Sequence, residues 1–246
     1  MIFLTAVQVA ISIALFTIAW ATLHWMLHAW RTPERFENTG YPATVAPPVH
    51  SFSLIVAMRE EPEDVIIATV NRLVAQRHPD FEIILAVGHD DMLPVGPRGM
   101  NTQEIAHLIA AEINAKTPGK VKVATNYDAI KNKPRQLNTA LALCTKEIVG
   151  ILDAESLTHP DLLASIDSMF THHGADVVQG SVHLTNYRAT WFSLRNCLEY
   201  RTWFRSRLIG HASSGFLPLG GTTVFTRRLL IEEIGGWDGD CLAEDC

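Results

Sequence analysis

Between Ile2 and Trp30 the chain carries no charged side chain, and the run breaks only at Arg31. As an α-helix at ~1.5 Å per residue it would measure ~44 Å, longer than the ~30 Å hydrocarbon core of a bilayer. The pattern predicts a transmembrane helix over residues 1–30, free to tilt or to seat its ends among headgroups. Trp20, Trp25 and Trp30 suit an interfacial aromatic belt. No Lys or Arg precedes the run, which argues against a cleaved signal peptide with its basic leader and shorter apolar core. Arg31 and Arg35 follow it, so positive-inside bias puts the rest of the chain in the cytoplasm. His24 and His28 fall four apart on one helical face, a spacing open to a metal but equally that of ordinary interfacial histidines.

Residues 31–50 carry Pro33, Pro42, Pro47 and Pro48 with Gly40 between them, the composition of a linker. Beyond it the period changes. Ser51–Ala57 is an uncharged apolar run that reads as a buried strand, and Val65, Ile66, Val70, Leu73 and Val74 then recur at helical spacing behind Pro62. Phe81–Val87 is a second strand. A strand, a short helix and a strand form a right-handed βαβ unit. Helix over 103–115, strand over 121–124, helix through Leu143 and strand over 147–152 continue the alternation. Further on, a helix is expected over 160–170, a strand over 175–184, a long aromatic helix over 191–209, a strand at Val224 and Phe225, and a helix over 228–234. The expectation for residues 51–246 is one α/β domain with a mostly parallel sheet.

Composition changes this picture little. The hydrophobic fraction is 48%, with the excess at the N-terminus. A net charge of −6 gives no electrostatic reason to expect nucleic acid. Cys144, Cys197, Cys241 and Cys246 form no CxxC pair and no metal-ligand spacing, which suits a reducing compartment.

The chemistry centres on the end of the fourth strand. Glu147 to Leu152 runs into Asp153-Ala154-Glu155. Two carboxylates one residue apart at a strand's carboxyl end can share a hard divalent cation, where open α/β sheets bind ligands. They can also simply end the strand and precede the next helix. Lys131, Lys133 and Arg135 lie beside a helix start, where a phosphate is attracted by cations and helix dipole together; a solvated basic turn has the same composition. Asp90 and Asp91 follow the second strand, either as a turn or as acceptors for a base or ribose. Pro218 to Thr223 holds Gly220 and Gly221, which let backbone approach a ligand closely. The helix expected over 191–209 mixes Trp191, Phe192, Leu194, Leu198, Trp203, Phe204 and Leu208 with arginines. It reads equally as a membrane-surface helix or as a core helix lining an acceptor.

In order along the chain, these pieces resemble the family 2 glycosyltransferases of GT-A fold, over roughly residues 51–246. Leu54 to Glu61 resembles the first nucleotide-contacting segment, which includes Glu60. His89-Asp90-Asp91 resembles the uridine-binding aspartate. Lys133 to Asn138 is similar to a Lys-Pro-x-x-Leu-Asn element. Asp153-Ala154-Glu155 is similar to the Asp-x-Asp metal motif with Glu as second acid. Pro218–Thr223, Gly235-Gly236-Trp237-Asp238 and Glu244-Asp245 resemble the acceptor loop and the motif carrying the base.

The resemblance implies inverting transfer from a nucleotide-diphosphate sugar to a polysaccharide or lipid-linked acceptor at a cell membrane. Mg²⁺ or Mn²⁺ would be held by Asp153 and Glu155. Glu60, Asp90 or Asp91, Lys133 and Asp153 would bind the donor, with Asp90 slightly favoured over Asp91. Gly220, Gly221, Thr222 and Glu244 would line the acceptor site, and Asp245 would be the general base. Processive members continue with Gln-x-x-Arg-Trp and more membrane helices, whereas this sequence stops one residue after Asp245, so the catalytic domain is expected to be C-terminally incomplete. A membrane-tethered non-catalytic module is therefore the alternative. A nucleotidyltransferase is less favoured, because the loop Met58-Arg59-Glu60-Glu61 lacks glycine.

Overall fold

The computed structural model describes residues 2–31, 47–89, 94, 97–128, 130, 132–213 and 216–241. The chain divides into two compact units, one of Met1–Tyr41 with Ser181–Pro218, the other of Pro42–Gly180 with Leu219–Cys246.

In the first unit, α1 (Ile2–Arg31) is a continuous helix. Its Phe3–Leu27 stretch is long and apolar enough to cross a membrane, with none of that stretch buried. The later segment of the unit forms α6 (Trp191–Thr202), a π-helical turn at Trp203–Arg207 and α7 (Leu208–Ser213). Thr190 opens α6 as its N-cap, its hydroxyl accepting from Ser193 N–H at 3.0 Å.

The second unit is a six-stranded sheet between helices. In chain order its elements are β1 (Phe52–Ala57), α2 (Glu63–Val74), β2 (Phe81–Gly88), α3 (Thr102–Asn114), β3 (Val121–Asn126), α4 (Lys133–Leu141), β4 (Ile148–Asp153), α5 (Leu162–His173), β5 (Val177–Gln179), β6 (Val224–Arg227) and α8 (Arg228–Glu233). The strand order is β3-β2-β1-β4-β6-β5. β1 to β4 are mutually parallel, while β6 runs antiparallel to both β4 and β5. The mostly parallel sheet expected from the sequence is present. The strand expected over 175–184 shrinks to three residues, because only Val177–Gln179 finds β6 as a partner.

β1 and β2 are central and covered on both faces, which is why they read as uninterrupted apolar runs. Phe52, Leu54 and Val56 point into a core with Ile66, Leu73, Ile105, Leu163 and Phe170, while Ile55, Ile84, Val149 and Ile151 meet Leu137 and Ile231 on the other side. Ser53 is the polar residue inside β1, and its hydroxyl donates to Glu82 at 2.7 Å. Gly150 faces Phe225 across the β4–β6 ladder. A Cβ at Gly150 would lie 2.5 Å from the Phe225 ring and 3.0 Å from Leu54, so the glycine makes room for that ring.

The register fixes where the strands end. Ala57 pairs with Asp153 and with Ala86, and Gly88 with Asn126, so four carboxyl ends share one edge. Because β6 runs the other way and Val224 pairs with Ile151, the residues entering β6 reach that same edge.

Candidate active site

Asp153 is the last residue of β4. Its backbone N–H lies 3.1 Å from both the Ser156 and Thr222 hydroxyl oxygens, which accept from it. Its carboxylate accepts from Lys133 Nζ at 2.7 Å, and the same ammonium donates to the Gly221 carbonyl at 2.9 Å. Lys133 opens α4, whose N-cap Asn132 accepts from Arg135 N–H, with proline in the first turn where its missing N–H costs nothing. The pair stays open to solvent, Asp153 being about one third exposed at 34%.

The Gly220–Thr222 loop is held to this point by Gln179. Its Nε2 donates to the Thr222 carbonyl at 2.8 Å, and its Oε1 accepts from Gly220 N–H at 2.7 Å. Thr223 closes the loop at φ 56°, an uncommon conformation for a β-branched residue. Glu60, in the loop after β1, also has positive φ, 54°. Non-glycine residues held in such conformations gather at ligand sites.

Lys133, Asp153, Gly221 and Thr222, from segments up to 88 residues apart, therefore meet at one point. Glu155 is exposed in the turn two residues beyond Asp153, and Glu60 is exposed after the neighbouring strand. Asp90, Asp91, Glu244 and Asp245 lie outside the described residues. His89, just before the first pair, stacks on the exposed Tyr127 ring at 5.3 Å.

Asp153 and Glu155 suit a divalent cation, being solvent-reachable carboxylates at a strand end and hard oxygen donors. Among the described residues no three His, Cys, Asp or Glu side chains converge. Further ligands would then be water and phosphate oxygens, the usual arrangement for Mg²⁺.

One helix also fastens the segment leading towards Glu244 and Asp245. Asn132 Nδ2 donates to the carbonyls of Gly239 at 2.8 Å and Cys241 at 3.1 Å. Arg135 donates to the Gly239 carbonyl and to Asp240, both at 2.9 Å. Asn138 bonds the Trp237 backbone twice. Asn132 and Gln179 belong to none of the sequence motifs, and Asn138 enters only as the last residue of the Lys-Pro-x-x-Leu-Asn element. The one signal for Gln179 is an amide at the end of a short apolar strand, half-buried and so in need of partners.

Residues 47–246 match the family described as "Glycosyltransferase like family 2". The chain belongs to that family. Over 196 residues it is 25% identical to the β-monoglucosyldiacylglycerol synthases of Nostoc sp. and Trichormus variabilis, matching 78% of this chain and 39% of theirs. This family 2 chain thus spans about two fifths of the length of those relatives.

Among solved structures it is similar to the mannosyltransferase PcManGT from Pyrobaculum calidifontis, determined in complex with GDP-Man and Mn²⁺. The TM-score is 0.61 at 20% identity, over 96% of this chain and 61% of that one. It is also similar to TarS of S. aureus, with TM-score 0.52 at 16% identity over 79% and 52% of the two chains. At these identities the likeness establishes the GT-A fold: a mostly parallel sheet flanked by helices, here with an N-terminal apolar helix.

Proposed function

We propose that this chain forms the donor-binding part of a membrane-anchored inverting glycosyltransferase. It would move a sugar from a nucleotide-diphosphate donor to a lipid-linked or polysaccharide acceptor. The observation that carries the reading is the Lys133–Asp153 pair at 2.7 Å, set against the Gly221 carbonyl at the carboxyl edge of the sheet. It supplies a cation and a carboxylate where α/β sheets take phosphate-bearing ligands.

In this reading Lys133 turns from Asp153 to a donor phosphate oxygen. Glu60 and Asp90 or Asp91 hold the nucleoside. Asp153 and Glu155 hold Mg²⁺ or Mn²⁺, which when bound supplies positive charge against the departing diphosphate. The acceptor hydroxyl lies against Gly220, Gly221, Thr222 and Glu244. It attacks the anomeric carbon on the face opposite the diphosphate and loses its proton to Asp245, a contribution of ~10²–10⁴-fold. The family membership and the relatives that make a glucosyl lipid support this assignment, the latter favouring a lipid acceptor. α1 anchors the chain in the cell membrane, and Arg31 and Arg35 favour a cytoplasmic catalytic domain.

The test is calorimetric titration of the full chain with UDP- and GDP-sugars, with and without Mn²⁺, in parallel with Asp153→Asn. Metal-dependent binding that is lost in the variant is the expected result. Equal affinity in both proteins, with and without metal, would overturn the reading.

A further inference from the structure

In the unit that contains α1, the packing between early and late segments is made at the C-terminal end of the apolar run. Gly210 is the seat of the Trp25 indole, since a Cβ there would collide with the ring. His211 stacks on Trp25 at 5.7 Å, and Trp203 lies 6.5 Å from His211. Trp25 is close to the end of the Phe3–Leu27 run, and Arg31 follows. A tryptophan at the end of a spanning helix sits at headgroup level. Residues 203–211 therefore lie at that depth.

α6 continues from there with no buried residue. Trp191, at 77% exposure, and Phe192, Leu194, Leu198 and Tyr200 all lie open. Trp191, Leu194 and Leu198 are spaced by three and four, so they share one side of the helix. Arg195, four after Trp191, and Arg201, three after Leu198, share that side as well. A protein core does not take up arginines interleaved with leucine and tryptophan in this way. A bilayer surface does: the stems and rings enter the upper acyl region while the guanidinium groups stay among phosphates. Charge points the same way. Residues 181–218 hold Arg188, Arg195, Arg201, Arg205 and Arg207 against Glu199 alone, a net +4 in a chain of −6.

We infer that residues 187–207 form a contact surface for an anionic phospholipid bilayer, laid on the leaflet where α1 ends. The inference rests on the reading that α1 lies in a membrane, and it is independent of sugar transfer. Each arginine at the surface adds attraction to anionic lipid that weakens with salt.

The test places the photo-crosslinker benzoylphenylalanine at position 191, 198 or 16 of the full chain. The protein is reconstituted into phosphatidylcholine vesicles with or without phosphatidylglycerol. Lipid adducts are expected at all three positions. At 191 and 198, but not at 16, phosphatidylglycerol should be captured several-fold above its share of the lipid. Combined Arg188→Gln, Arg195→Gln and Arg207→Gln should bring that capture back to about the lipid's own share of the vesicle while leaving capture at 16 unchanged, which also shows that the variant is still inserted. Three results would overturn the inference: no lipid adduct at 191 and 198 while 16 is labelled, a crosslinked dimer in its place, or capture without lipid preference. No adduct at 16 would instead overturn the membrane reading of α1, and the inference with it.

Discussion

Asn138 and Trp237 stand 99 residues apart and are joined by two hydrogen bonds. Asn138 Nδ2 donates to the Trp237 carbonyl at 2.7 Å, and Oδ1 accepts from the Trp237 N–H at 2.9 Å. The side-chain amide thus acts as one rung of a strand ladder. Gly236 makes the approach possible: its φ is 87°, and a Cβ there would lie 2.5 Å from Asn138 Oδ1. The same helix begins with Lys133, so α4 holds the cation that meets Asp153 at its start and the Trp237–Cys241 segment along its side.

Asn138→Ala should therefore cost stability and release the loop. Two bonds are lost and two half-buried backbone groups are left to water, a loss of about 1–3 kcal/mol by urea denaturation. If the proposed reaction holds, donor affinity should change little while turnover falls, because Lys133 and Asp153 are untouched. Wild-type denaturation midpoints would show that the amide bridge carries no stability.

The Lys133–Asp153 pair makes a second expectation. If Asp153 holds the metal as proposed, Lys133 and that metal compete for one carboxylate in the nucleotide-free protein. Lys133→Met should tighten Mn²⁺ binding without nucleotide by about two- to tenfold, and weaken nucleoside-diphosphate binding by about tenfold or more. Mn²⁺ electron-paramagnetic-resonance titration reads the first effect and calorimetry the second. A variant that weakens both would mean that Lys133 supports the metal site and does not compete with it.

Gly150 and Phe225 offer a packing test away from the chemistry. Gly150→Ala alone should destabilise by about 1–3 kcal/mol, since the new methyl meets a ring locked in the sheet. Adding Phe225→Leu should recover part of that loss, a coupling measurable by a double-mutant cycle. Strict additivity would place the strain elsewhere.

Glu82 predicts a pH dependence. Burial by itself pushes its carboxyl up, but the Lys122 ammonium, the Thr145 N–H and the Ser53 and Thr145 hydroxyls together outweigh burial and hold it below its ordinary value. A carboxyl lowered by folding adds stability that is present above its unfolded value and is lost as pH falls through the folded one. The stability gap between wild type and Glu82→Gln, followed by thermal unfolding, should be full at neutral pH and close on acidification below about 4.5. A gap that does not change with pH would assign the effect to packing.

The residues themselves determined the elements. The charge-free run that became α1, the apolar runs of β1, β2 and β4, and the acid pair ending β4 are all local patterns, and burial reads locally along a helix or a strand. Only the tertiary structure decided that β6 returns antiparallel, which brings Gly221 and Thr222 to Asp153. It also decided that Gln179 and Asn138 would serve as braces, and that the strand after Ala175 would last three residues. Each of these depends on a partner some 40 to 100 residues away, and a hydrogen bond across that distance leaves no period in the sequence to read.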